Sequence, residues 1–216
     1  MQGISLTSLR LDSIVLPAFV TATQIGYYSI AVNVSSMIVS LFGSVAMVVF
    51  PLTAADRGPE GRHALERGLR INFVGGGLAV VAIAVVAPWL IPFVYGAEFR
   101  AAVPALWLML PGILLFSAST TLMATLQGIG APGLASLAHL GGTIVLLVGL
   151  VVLVPSHGIL AAALMSTVGY TTVFVLGERL VARSTGLSVR GVLAPGELRQ
   201  DATWLIGRLT RSRSEV

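Results

Sequence analysis

From Ile71 to Tyr95 the chain runs for 25 residues without a charged side chain, and comparable apolar stretches recur along its length. A helix needs about 20 such residues to cross the roughly 30 Å hydrocarbon core of a bilayer. Backbone amides in hydrocarbon must find partners inside the protein, and a helix provides them within one segment. Read this way, the pattern predicts an all-α fold, a polytopic membrane helix bundle. Its six transmembrane helices fall at Ile4 to Ala22, Gly26 to Thr53, Ile71 to Tyr95, Ala101 to Gln127, Leu134 to Val154 and Ile159 to Leu180. A length of 216 residues admits that number and excludes a twelve-helix transporter on one chain.

Composition supports the assignment. The chain is 56% hydrophobic and 10% charged, with a mean hydropathy of +0.93, where soluble domains sit near 45–50% and about 25%. It contains no Cys, which removes disulfides, thiolate metal sites and cysteine nucleophiles together. The net charge of +4 comes entirely from arginine among the basic residues, and these lie beside apolar blocks. Anionic inner-leaflet lipids, and no nucleic acid, are the expected counter-charge.

Orientation follows from the arginines, since short cytoplasmic loops of membrane proteins are enriched in them. A loop from Ala54 to Arg70 carries Arg57, Arg62, Arg67 and Arg70. Placing it inside puts both termini in the cytoplasm and leaves Arg100 alone outside. Tyr27, Tyr28, Trp89, Phe93 and Tyr95 then gather at the outer interface, where aromatic rings are favoured. No signal peptide opens the chain. The first span carries Arg10, Asp12 and Pro17; it inserts poorly alone and belongs against other helices. After residues 1–181, the tail 182–216 is Arg-rich, with Leu198, Ala202, Leu205, Ile206 and Leu209 at helical spacing. It reads as an interfacial amphipathic helix or as a solvated tail.

Polar positions inside spans mark a bundle interior or a watery cavity, because hydrocarbon penalises them. Ser29, Asn33, Ser36, Ser40 and Ser44 fall on one helical face. For the serines close helix packing is the plain alternative, whereas Asn33 suits packing and cavity lining equally. Arg10 and Asp12 form the charged pair within a span and point in different directions on a helix. Either Arg10 reaches the headgroups and Asp12 pairs locally, or the two form a cationic wall and gate. His139 relays a proton or bonds a neighbouring helix. Pro17, Pro88, Pro92, Pro104 and Pro111 free backbone carbonyls and bend their spans. Gly128, Gly130 and Gly133 spell GxGxxG after a helix rather than a strand, so they do not make a nucleotide site. The scattered histidines make no metal site, no cofactor is implied, and nothing reads as an enzyme.

Several strings recur in order: Arg10-Leu11-Asp12, Ile25-Gly26-Tyr27-Tyr28-Ser29-Ile30-Ala31, Phe50-Pro51-Leu52, Tyr95-Gly96-Ala97-Glu98-Phe99, Leu110-Pro111-Gly112, Leu126-Gln127-Gly128 and Gly158-Ile159. Together, over roughly residues 5 to 182, they resemble the carboxy-terminal lobe of the Wzx-type polysaccharide flippases. That family belongs to the multidrug/oligosaccharidyl-lipid/polysaccharide exporter superfamily. The resemblance implies two six-helix lobes around a central cavity in the bacterial cytoplasmic membrane. It also implies outward flipping of a lipid-linked oligosaccharide by alternating access. Arg10 is then the pyrophosphate contact, with Asp12, Asn33, Gln127 and His139 as cavity or coupling residues. The amino-terminal lobe of that family is missing from the sequence. The expected partner is therefore that lobe, in a longer protein, on a companion chain or on a second copy, in that order. A cation-coupled multidrug exporter lobe and a non-transporting membrane scaffold are the competing readings.

Overall fold

The computed structural model describes Asp12, residues 15–56 and residues 58–186. All regular structure among them is helical. A single 3₁₀ turn at Leu16–Ala18 leads into α1 (Ala22–Phe42), and α2 (Val45–Ala55) continues the same crossing. Then follow α3 (Pro59–Tyr95), a 3₁₀ turn at Ala97–Ala101, α4 (Ala102–Gly128) and α5 (Pro132–Thr185). By length and composition the protein is a multi-pass membrane protein, with four helices among the described residues able to span a bilayer, taking α1 and α2 together as one. Most of the expected first span lies outside the described residues.

Two of the helix starts have a clear local cause. Thr21 and Gln24 cap α1 reciprocally: Gln24 N–H donates to Thr21 Oγ1 at 3.4 Å and Thr21 N–H to Gln24 Oε1 at 3.3 Å. Asp56 serves α3, with Oδ1 accepting from Gly58 N–H at 2.7 Å and Oδ2 from Glu60 N–H at 2.9 Å. Those two backbone donors hold the Asp56 carboxyl below its ordinary range. Pro59 in the first turn lacks an amide hydrogen that the helix could not have used. The loop expected from Ala54 to Arg70 is consequently helical from Pro59 onward. Its charges hide a stripe at helical spacing, with Gly61, Leu65, Gly68 and Leu69 buried.

Helix α5 spans 54 residues, about 81 Å if straight, far more than a bilayer admits. It breaks at Gly158, whose φ of 60° and ψ of −144° leave the helical region and suit only glycine. The halves fold back on each other. A Cβ at Gly142 would meet Val173 Cγ2 and the carbonyl of Gly169; one at Gly149 would strike Met165. Those pairings centre on the break, as an antiparallel hairpin requires. The separate fifth and sixth expected helices are therefore the two arms of α5.

α4 is the central element. Of its apolar window 61% is buried, against 11% for α3, so the other helices surround it. Leu106, Met109, Ile113 and Phe116 project from it into a core shared with Tyr28, Ile38 and Leu150. Proline chemistry is resolved locally. Pro88 cannot donate to the carbonyl of Ala84, and Trp107 Nε1 of α4 donates to that oxygen at 3.0 Å instead. Gly112 lets Thr167 come against α4, where its hydroxyl donates to the Leu108 carbonyl at 2.5 Å.

Candidate functional site

The polar face of α1 is open. Asn33, Ser36, Ser40 and Ser44 line a groove of about 390 Å³ whose floor includes Met109, Ile113 and Tyr170. Ser29, on the same expected face, does not line it. The hydroxyls turn back on their own helix, Ser36 donating to the Asn33 carbonyl at 2.8 Å, Ser40 to Ser36 at 3.2 Å and Ser44 to Leu41 at 2.8 Å. Their donors are thereby satisfied while their oxygens still face the groove as acceptors. Asn33 is exposed and lines the groove.

A second groove of about 330 Å³ continues from the first through Gly43 and Met47, and is lined by Thr120, Gln127 and His139. Gln127, at the end of α4, is exposed. His139 is only 6% exposed, and its Nδ1 has no hydrogen-bond partner among the described residues. Its ring packs edge-on against Phe116 at 6.0 Å, and Phe116 lies 4.8 Å from Tyr170 in the first groove. Asn33, Gln127 and His139, chosen from distant parts of the sequence, thus border one continuous depression.

Asp12 is elsewhere. It is fully buried and lines neither groove. The Tyr28 hydroxyl donates to its Oδ2 and lies 3.0 Å from Ser166 Oγ, which itself donates to the Ala162 carbonyl at 3.0 Å. This cluster pins the segment before α1 to both α1 and the second arm of α5. Arg10 lies outside the described residues.

The sequence reading missed Asn72. It is fully buried in α3, with Nδ2 donating to Thr121 Oγ1 at 3.1 Å and to the Gly68 carbonyl at 3.2 Å, and Oδ1 accepting from Ser117 at 2.7 Å. Next to an arginine-rich stretch it reads as a span end. The signal available was a lone amide following Arg70 at the start of an apolar run. Among the described residues no three His, Asp or Glu side chains converge as metal ligands.

The chain is similar to two curated proteins. It is 24% identical over 170 residues to the probable low-salt glycan biosynthesis flippase of Haloferax volcanii, covering 77% of this chain and 36% of that protein. It is 30% identical over 131 residues to stage V sporulation protein B of Bacillus subtilis, covering 59% of this chain and 25% of that protein. The chain therefore spans about a third or less of the length of these relatives. No family profile matches it, and no solved structure does.

Proposed function

We propose that this chain forms one six-helix lobe of a translocator, not an enzyme. The translocator would flip a polyprenyl-pyrophosphate-linked oligosaccharide across the bacterial cytoplasmic membrane for surface polysaccharide synthesis. The observation that carries the reading is the continuous depression in which Asn33, Ser40, Gln127 and His139 stand among apolar side chains. Amides and hydroxyl oxygens in a recess are what a sugar's hydroxyls require, and hydrocarbon would leave them unpaired. Similarity to a protein described as a glycan biosynthesis flippase points the same way. In this reading a second lobe closes the depression into a cavity. Arg10 then offers a planar two-pronged contact to the pyrophosphate. Both termini lie in the cytoplasm.

The test is translocation of a fluorescent lipid-linked oligosaccharide in vesicles holding the assembled protein. Asn33→Leu combined with Ser40→Leu should slow flipping at least about tenfold, the loss of roughly 1.4 kcal/mol of transition-state stabilisation. Full activity in that variant would remove the groove from the pathway. The second reading, a cation-coupled exporter, is favoured by the buried carboxylate of Asp12. It expects cationic dyes to bind, with loss on Asp12→Asn, and no response to polyprenyl pyrophosphates.

A further inference from the structure

A quarter turn around α1 from its serine face, a different recess opens between α1 and α3. Val34 and Met37 form one wall; Ala82, Ala87, Leu90 and Tyr95 belong to the other side, around a space of about 420 Å³. Its shape is a trough rather than a flat face. Ala87 and Ile91 lie at the bottom, each 2% exposed, while Met37 and Leu90 stand up on opposite ridges at 56% and 49%. Apart from the Tyr95 hydroxyl at one end, every lining side chain is a hydrocarbon or thioether. From Ala82 to Tyr95 the helix rises about 20 Å, enough to follow one chain through the roughly 15 Å hydrocarbon of a single leaflet.

The turn that follows Tyr95 carries charge of both signs. Tyr95 lies 6.2 Å from the Phe99 ring, and Phe99 packs edge-on to Tyr27 at 5.6 Å, so the 3₁₀ turn Ala97–Ala101 closes over the mouth. Exposed Arg100 belongs to that turn. The other described arginines lie at positions 62, 67, 70, 179 and 183, at the end of the bundle where Arg62 meets the Thr185 carbonyl. Glu98 is the neighbouring opposite charge in the same turn. An apolar trough one leaflet deep, with aromatic rings at one end and Arg100 in the adjoining turn, matches a lipid whose head is negative.

We propose that this trough binds one acyl chain of an anionic phospholipid of the bilayer, with Arg100 taking the headgroup phosphate. The site is separate from the polar depression and does not depend on what that depression carries.

The test is native mass spectrometry of the purified full chain after partial delipidation, loaded with phosphatidylglycerol or phosphatidylcholine. Phosphatidylglycerol should be retained about fivefold over phosphatidylcholine, the discrimination expected of one arginine at an anionic surface. Arg100→Gln should abolish that preference. Ala82→Phe, which fills the trough from an exposed position, should lower retention of both lipids. Leu78→Phe, on the open face outside the trough, should change neither. Equal retention of the two lipids by the unaltered protein, or retention untouched by both Arg100→Gln and Ala82→Phe, overturns the proposal. Displacement of phosphatidylglycerol by an equimolar polyprenyl phosphate overturns it too, in favour of the carrier lipid as occupant.

Discussion

The Ser117 hydroxyl donates to Asn72 Oδ1 at 2.7 Å, and both residues are fully buried. The bond joins α3 to the central helix at a depth where water does not compete. Hydrogen bonds between membrane helices couple by about 0.6 kcal/mol on average and up to about 1.7, and Asn72 also engages Thr121. Asn72→Leu should therefore cost about 1–2 kcal/mol in detergent unfolding. A double-mutant cycle with Ser117→Ala should return a positive coupling. Additivity of the two substitutions would mean that the bond contributes nothing.

Tyr28 is a second fastener, between the segment before α1, α1 itself and the second arm of α5. Removing its hydroxyl leaves the fully buried Asp12 without that donor, and an under-solvated buried acceptor costs about 1–3 kcal/mol, more when charged. Tyr28→Phe should destabilise the fold by that amount, whereas Ser166→Ala should cost less, because Ser166 also donates to its own helix. The order is read from thermal unfolding of the two variants in detergent. If Ser166→Ala proves the worse of the pair, the hydroxyl of Tyr28 is not what holds Asp12.

The hairpin of α5 rests on backbone proximity. A Cβ at Gly142 would lie 2.7 Å from the Gly169 carbonyl and 2.3 Å from Val173 Cγ2, whereas one at Gly77 meets nothing within 4 Å. Gly142→Ala should destabilise by about 1–3 kcal/mol through overpacking. Gly77→Ala, by contrast, should be neutral or stabilising by up to about 1 kcal/mol, from helix propensity alone. Unfolding midpoints of the two variants check the contrast, and equal shifts would argue against the tight arm-to-arm packing.

The helical spans were legible because hydrocarbon imposes one rule on every backbone amide, so apolar length alone finds them. Asn33 and His139 stood out for the same reason, as polar groups where the bilayer penalises them, whereas Gln127 came only from the resemblance. What the pattern could not separate was role. The amide of Asn72 is as buried as Ser117, yet its position after Arg70 places it at a span boundary in one dimension. Asp12 stood out by charge, but its burial behind Tyr28 is a three-dimensional fact that spacing does not encode. The helical run from Pro59 to Arg70 was concealed by its charges, since a helix end is decided by a cap such as Asp56 rather than by hydropathy.

That cap responds to acid. Because the folded Asp56 carboxyl is held low by the amides of Gly58 and Glu60, its stabilisation is complete above the ordinary carboxylate range near about 3.9. It fades as pH falls through the depressed native value. Hydrogen-exchange protection at the first turn of α3, taken relative to the unfolded-chain rate at each pH, should accordingly hold at neutral pH and fall as the pH drops below about 4. In Asp56→Ala protection should be low throughout. Protection that does not change with pH would show that the carboxylate does not hold the turn.

The absence of cysteine makes single-cysteine labelling a clean probe of which exposed face meets water. Ser40 and Leu78 are both exposed, but Ser40 lines the polar depression whereas Leu78 stands on the apolar face of α3. A thiol reacts as its thiolate, which forms in water and not in hydrocarbon. In membranes, Ser40→Cys should therefore be modified by a charged, impermeant maleimide while Leu78→Cys stays unreactive, and a lipid-linked oligosaccharide should protect Ser40→Cys. Two equally inert cysteines would place the serine face against lipid, and the depression would then be a packing surface rather than a passage.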